Sequence, residues 1–358
     1  MSRRKTQYII LAVLLITLIF LNIKSHLPYP TLDKNLAMLY IKAGDKFSAG
    51  ESYELANFYY KAAMKTSNKT YWLDYNIGKN IVSECWNMPR GRAKEKKLNE
   101  AVERLQKELI KHPNHSHILA QLGHAYYLLE DYDNAIKYYK LTIEKDPKWV
   151  YGINKLAFIY SHVKDENEIA LGYIEKVLSI EPNDNEYYFL YGWILSALKR
   201  YDDAIKAYNK YLEKNPDSVA ALVNISGCEI SNHDYDSAEK HVEHGLKYNS
   251  HSAYLLSNKA DILLYKHKFD EAAAIANEIN KRYYSGYIGY ITLAKIERYK
   301  GNKVKADEYY QMAKENAKEY CIKYCDKPYD LSDNNGNCSN RYDFLEHFDE
   351  NRAKPLDF

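Results

Sequence analysis

Three histidines stand within six residues at His112, His115 and His117, and imidazoles so close together could hold a metal or shuttle protons. Their setting argues otherwise: Pro113, Asn114 and Ser116 between them are residues that stop one helix and cap the next, so the run reads as a turn. The five cysteines cannot all pair; Cys321, Cys325 and Cys338 cluster near the C-terminus, and in an oxidising compartment Cys338 could join Cys321 or Cys325. A zinc site completed by His347 would need a compact ligand spacing that these cysteines lack. Acidic pairs such as Asp202-Asp203 suit the positive end of a helix. The sequence holds no phosphate-binding Gly-rich loop, dinucleotide fingerprint, nucleophile-elbow serine or His-Glu-x-x-His string. The expectation is a protein that is not an enzyme, with no catalytic residues, no metal and no cofactor.

Composition supports a folded, non-nucleic-acid-binding chain. Across 358 residues, 50 Lys and Arg nearly cancel 48 Asp and Glu, so no broad positive field draws a polyanion. Apolar residues at 46% and charged ones at 27% exclude a disordered chain, while 14 Gly and 9 Pro make a turn-dense β-fold improbable. Tyrosine is abundant at 37, an amphipathic ring suited to packing and to binding surfaces.

The elements begin with a membrane-length stretch. Thr6 to Ile23 carries no charge and twelve of its residues are Ile, Leu, Val or Phe, enough to reach about 27 Å as a helix. Arg3, Arg4 and Lys5 precede it and only Lys24 follows closely, which holds the N-terminus in the cytoplasm and sends the rest outward. No small-x-small cleavage site follows. Residues 1–5 are therefore expected as a basic cytoplasmic end, 6–24 as an uncleaved transmembrane anchor, and 25–36, with Pro28 and Pro30, as a stiff linker. The body of the chain would then be extracytoplasmic, on the periplasmic side of the inner membrane in a bacterium.

From Ala37 onward the chain repeats itself. Ala56, Ala101, Ala135, Ala170, Ala204, Ala238, Ala272 and Ala306 recur mostly every 34 residues, and a small residue (Gly44, Gly78, Gly123, Ala157, Gly192, Ser226, Ala260, Ala294) lies upstream of each. Small residues at this period let two antiparallel helices approach closely, so each repeat is a helical hairpin. Pro113, Pro147, Pro182 and Pro216 mark where second helices end.

The run Leu122-Gly123-x2-Tyr126, Ala135-x3-Tyr139, Pro147 resembles the tetratricopeptide repeat, as do Leu156-Ala157-x2-Tyr160 with Ala170 and Pro182, and Tyr191-Gly192 with Ala204, Tyr208 and Pro216. About eight repeats fit residues 37–320, with an insertion near 85–99 in the second, leaving 321–358 as a cap or tail. The resemblance implies an all-α, right-handed superhelical solenoid of helix-turn-helix repeats, here behind one transmembrane helix, with first helices lining a concave groove. Carried over place by place, the family's inward positions fall on Trp72, Tyr75 and Lys79; on His117, His124 and Tyr127; on Tyr151, Asn154, Phe158 and His162; and on Phe189 and Trp193. Asp45 and His124 occupy places where relatives that grip acidic chaperone tails need other residues, so that clamp is not expected.

An aromatic, histidine-rich groove suits proteins or peptides, and a glycan is a possible ligand of the same rings; nucleic acid is not expected. Arg90, Arg92, Lys94, Lys96 and Lys97 form a basic patch expected on the inserted loop, close to the anchor and its anionic headgroups. In the tail, Tyr342-Asp343-Phe344-Leu345-Glu346-His347-Phe348 is the one apolar patch, suited to capping the last repeat or docking elsewhere. The expected function is a membrane-tethered repeat scaffold in a cell-envelope assembly, secretion or polysaccharide-export complex; the alternative is a peptide- or glycan-binding module.

Overall fold

The computed structural model describes the backbone of residues 29–66, 72–282 and 287–324, with side chains from 36 to 317 inside those limits. Sixteen helices and no strands occur among the described residues. They fall into two compact units, an N-terminal one through Lys145 and a C-terminal one from Asp146.

The N-terminal unit holds α1 (Tyr29–Ala49), α2 (Tyr53–Lys65), α3 (Leu73–Trp86), α4 (Arg92–Lys111), α5 (Ser116–Leu128) and α6 (Tyr132–Lys145). Successive helices pair as three hairpins, α1 with α2, α3 with α4 and α5 with α6. The C-terminal unit holds five more, from α7 (Val150–His162), α8 (Asn167–Ile180), α9 (Tyr187–Ala197), α10 (Tyr201–Leu212), α11 (Val219–Ser231), α12 (Tyr235–Tyr248), α13 (Ala253–Tyr265), α14 (Phe269–Arg282), α15 (Tyr287–Tyr299) and α16 (Lys303–Tyr324). Within it the first helices α7, α9, α11, α13 and α15 lie side by side.

The repeating alanines explain the packing. All eight are buried, at 0 or 1% exposure. Opposite them the small first-helix residue meets a large ring from the second helix. A Cβ added to Gly44, Gly123 or Gly192 would lie 2.5, 2.6 or 2.9 Å from the ring of Tyr60, Tyr139 or Tyr208, closer than van der Waals contact permits. Each tyrosine stands four residues after its alanine, one turn along the same face.

The turn inside six of the eight hairpins repeats as well. Glu51, Glu130, Lys199, His233, His267 and Gly301 adopt positive φ, and the next residue donates its N–H to a carbonyl five back, as from Arg200 to Leu195 (2.9 Å) and Asp234 to Glu229 (2.9 Å). This left-handed cap satisfies carbonyls that the helix end would orphan. The fourth hairpin is one residue longer; there Asp165 is left-handed and Glu166 donates six back, to Tyr160 (2.8 Å).

Three boundaries differ from expectation. The chain is helical from Tyr29, so the segment read as linker over 25–36 is helix across its second half; Pro30 sits in the first turn, where no N–H is needed. The inserted segment 85–99 is mostly helix too: a short turn follows Trp86 and α4 starts at Arg92, because its Arg, Ala, Lys, Glu and Leu residues are strong helix formers. The last helix runs to Tyr324, four residues beyond the expected end. No helix among the described residues is long and apolar enough to cross a membrane; the stretch 6–24 lies outside them.

Two glycine substitutions of opposite sign test this packing. Gly123→Ala is expected to lower stability by about 1–3 kcal/mol through overpacking against Tyr139. Gly172→Ala, on α8 with nothing within 4 Å of the new methyl, is expected to raise it by about 0.5–1 kcal/mol. Urea denaturation followed by circular dichroism measures both, and equal shifts would refute the close approach.

Candidate functional site

The expected groove residues divide between the two units. In the N-terminal unit the rings largely cover one another. Trp72, capping α3, stacks on His112 at 4.3 Å and meets His115 edge-on at 4.4 Å and Tyr75 at 5.9 Å. The histidine run therefore closes the joint between α3, α4 and α5, as the turn reading expects. Burial, reinforced by His117 and His112, pushes His115 below its ordinary pKa and favours the neutral ring. Among the described residues no group of His, Cys, Asp and Glu is placed to hold a metal ion. Lys79 and His117 are exposed, His124 lies beside Tyr139 at 5.7 Å, and Tyr127 stacks on Trp86 at 6.4 Å.

The basic residues do not form a loop patch. Arg90 alone lies in the turn and pairs with Glu130 (2.8 Å), while Arg92, Lys94, Lys96 and Lys97 ride the first turns of α4. Lys97 binds Glu84 and lies 3.7 Å from Glu54, and Lys94 donates to the Met88 carbonyl (3.1 Å). Arg92 and Lys96 remain exposed. Much of the expected positive field is thus neutralised locally, since a helix spreads charges around its axis where a loop would gather them.

In the C-terminal unit three expected residues meet. His162 lies between Phe158 (4.3 Å, 13°) and Trp193 (5.0 Å, 18°), which joins α7 to α9. Burial between the rings lowers its pKa to about 4, partly offset by a backbone hydrogen bond at Phe158. Lys155 stands over Tyr151 (5.4 Å) and Phe158 (5.9 Å), and its burial depresses its pKa. Asn154 is half-buried beside them on α7. Phe189 is placed differently from expectation: its ring turns into the hairpin, edge-on to Tyr208 (5.9 Å) and Tyr211 (5.2 Å) of α10. A ring at this place gains more area against its own second helix than against solvent.

From Trp193, which is 40% exposed, a cleft of about 610 Å³ runs across α9, α11, α13 and α15. That size and its mixed lining match a small-ligand or peptide site. Tyr201, Tyr235, Tyr254, Tyr287 and Tyr299 supply aromatic walls, with Lys295 and Arg298 among the polar groups. Hydrogen bonds between adjacent first helices hold these walls: Asn258 to the Val223 carbonyl (3.0 Å) and Ser226 Oγ (2.8 Å), Ser257 with Thr292 (3.1 Å), Tyr254 with Tyr287 (3.0 Å). Lys295 donates to Asp261 Oδ2 at 2.6 Å. Burial pushes Tyr235 up to about 12 and raises the Cys228 thiol, so both stay protonated at neutral pH. These groups can hold a ligand through ring faces and polar edges.

Sequence reasoning missed most of this cleft although the signal was present. Gly227, Asp261 and Lys295 stand one, two and three 34-residue steps beyond Trp193, and all line the cleft. The same steps from Phe189 reach Val223, Ser257 and Ile291. Cys85 and Cys228 are buried free thiols, whereas the side chains of Cys321, Cys325 and Cys338 lie outside the described residues.

Residues 116–149 match the tetratricopeptide repeat family, and residues 164–245 match the family described as anaphase-promoting complex, cyclosome, subunit 3. The chain carries tetratricopeptide repeats. It is 30% identical over 120 residues to cell division cycle protein 27 homolog A of Arabidopsis thaliana, covering 33% of this chain and 16% of that one. Hsp70-Hsp90 organizing protein 2 of the same plant is 28% identical over 137 residues, 37% of this chain and 24% of the relative. The repeat protein thus spans less than a quarter of the length of both curated relatives. A solved tetratricopeptide repeat protein from Parabacteroides merdae superposes with a TM-score of 0.54 at 20% identity, covering 66% of this chain and 92% of that one, and shares the fold.

His162 gives a pH test of the ring stack. Its folded pKa lies below the ordinary value, so folding favours the neutral ring; that contribution is complete above about pH 6.5 and is lost as pH falls toward 4. His162→Phe, which cannot take up a proton, is expected to flatten the fall in urea midpoint between pH 6.5 and 4. Parallel curves for the two proteins would exclude the stacked, desolvated imidazole.

Proposed function

We propose that this tetratricopeptide repeat protein is a non-catalytic scaffold that grips a segment of a partner protein in the cleft of its C-terminal unit. The observation that carries the reading is the continuous aromatic and polar surface of α9, α11, α13 and α15, braced by hydrogen bonds between its own helices. A braced surface loses little conformational entropy on binding, which leaves more of the contact energy for affinity. Its relatives' names support the same direction, since one curated relative is an organizing protein for two chaperones.

The finer reading adds a tether. Residues 6–24 anchor the chain in a membrane, N-terminus in the cytoplasm, and its hairpins, coiling in the family's right-handed sense, serve an envelope assembly, secretion or polysaccharide-export complex on the far side. The hydropathy of that stretch and the basic residues before it support this. A glycan or peptide ligand is the second reading, favoured by the outward face of Trp193.

Cross-linking capture from native membranes with full-length protein tests the scaffold. Trp193→Ala is expected to lower partner recovery about tenfold or more, the usual cost of truncating an aromatic anchor. Unchanged recovery would reject the cleft as the gripping surface, and titration with cell-wall glycans that depends on Trp193 would favour the second reading. The tether predicts retention in the membrane fraction through an alkaline carbonate wash and release by detergent; release by the wash would reject it.

A further inference from the structure

The first hairpin carries an apolar surface on its second helix. On α2, Leu55, Phe58, Lys61, Ala62 and Lys65 recur at steps of three and four and so share one side, while Ala56, Tyr59, Tyr60 and Ala63 are buried on the other. Phe58 is 65% exposed, the most exposed Phe, Tyr or Trp ring among the described residues, and Leu55, 38% exposed, stands one turn before it. An edge-on contact with Tyr59 at 5.5 Å leaves most of the ring open. A bare ring beside a leucine on a helix already packed on its far side marks a contact surface.

The charges about this ring suit a second copy of the same helix. Lys65 stands seven residues after Phe58, about 10 Å along the axis, and Glu51 stands seven before it, in the turn that leads into α2. Both are exposed, and neither forms an ion pair among the described residues. Lys61 and Glu54, by contrast, are held within the chain by Glu100 (3.2 Å) and Lys97 (3.7 Å) of α4. A second α2 laid antiparallel about a two-fold axis at Phe58 sets ring against ring and Leu55 against the aliphatic stem of Lys61. It also brings Glu51 of each copy to Lys65 of the other. Parallel alignment would place Glu51 on Glu51 and Lys65 on Lys65, so charge selects the antiparallel arrangement. One helix face buries less than the roughly 800 Å² per partner of a standard interface, which makes the contact weak and reversible.

We infer that α2 is a self-association surface: two copies of the chain pair through antiparallel α2 helices, with Phe58 at the centre and an ion pair between Glu51 and Lys65 at each end. The inference goes beyond the proposed function and needs neither the cleft nor the tether. Where the cleft holds a partner, such a pair of chains is bivalent.

Sedimentation of the full-length protein in mild detergent, over rising concentration, reads the pairing. The average mass is expected to climb from one chain toward two. Phe58→Glu is expected to weaken the association about tenfold or more, as loss of a central aromatic anchor does. Glu51→Lys alone and Lys65→Glu alone are each expected to weaken it several-fold, because like charges then face each other at both ends. Mixing these two variants is expected to restore it, since every end then joins a lysine to a glutamate. All three positions are exposed, so circular dichroism is expected to remain that of the wild type. A single chain at every concentration, an association indifferent to Phe58→Glu, or a mixture no tighter than its components overturns the inference. A single chain whose residues 53–65 exchange slowly only on vesicles of phosphatidylcholine and phosphatidylglycerol assigns Phe58 to the lipid surface and overturns it as well.

Discussion

The close approach of two helices at a single small residue governs the rest of the molecule. At Gly44, Gly123 and Gly192 a tyrosine ring from the second helix fills the space where a side chain would stand. Helices held that near share one crossing geometry, and the left-handed turn between them follows, because the chain must reverse within a few residues and still satisfy the carbonyls at the helix end. Once one hairpin is set in this way, the next can stack on it only in a fixed register. A side chain at a given place then returns every 34 residues on the same face.

The cleft of the C-terminal unit is a consequence of that register. Trp193, Gly227, Asp261 and Lys295 occupy one recurring place, and their different sizes shape the surface: a ring at one end, a gap at the glycine, then an ion pair. Hydrogen bonds such as Asn258 to Val223 and Tyr254 with Tyr287 run from one first helix to its neighbour, so the surface is held by the same stacking that stabilises the fold. The aromatic residues of the N-terminal unit obey the same spacing with a different result. Trp72 is taken up by His112 and His115, and packs a joint. Ring type and place do not decide between a binding surface and a packed one; the neighbours available to each ring do.

Local charge behaves alike. Lys94 and Lys97 turn to Met88, Glu84 and Glu54, partners that are distant in sequence or hidden by the turn after Trp86. Their helical setting converts an apparent patch into separate pairs. The rings around His162 show the converse, for the imidazole contributes to packing only while it is neutral, which ties the stack to pH.

The amino-acid sequence alone determined the all-α class, the hairpin as the repeating unit and the places where second helices end, because glycine, alanine and proline act through backbone geometry that needs no knowledge of neighbours. The tetratricopeptide resemblance put Phe158, His162 and Trp193 at inward places, and the structure stacks these three rings on one another. Only the tertiary structure decided that Phe189 faces α10, that Trp72 is covered and that the open cleft lies between α9 and α15. Those outcomes depend on which side chains from other helices reach the same space, and such contacts between different helices are set by packing and not by any local pattern.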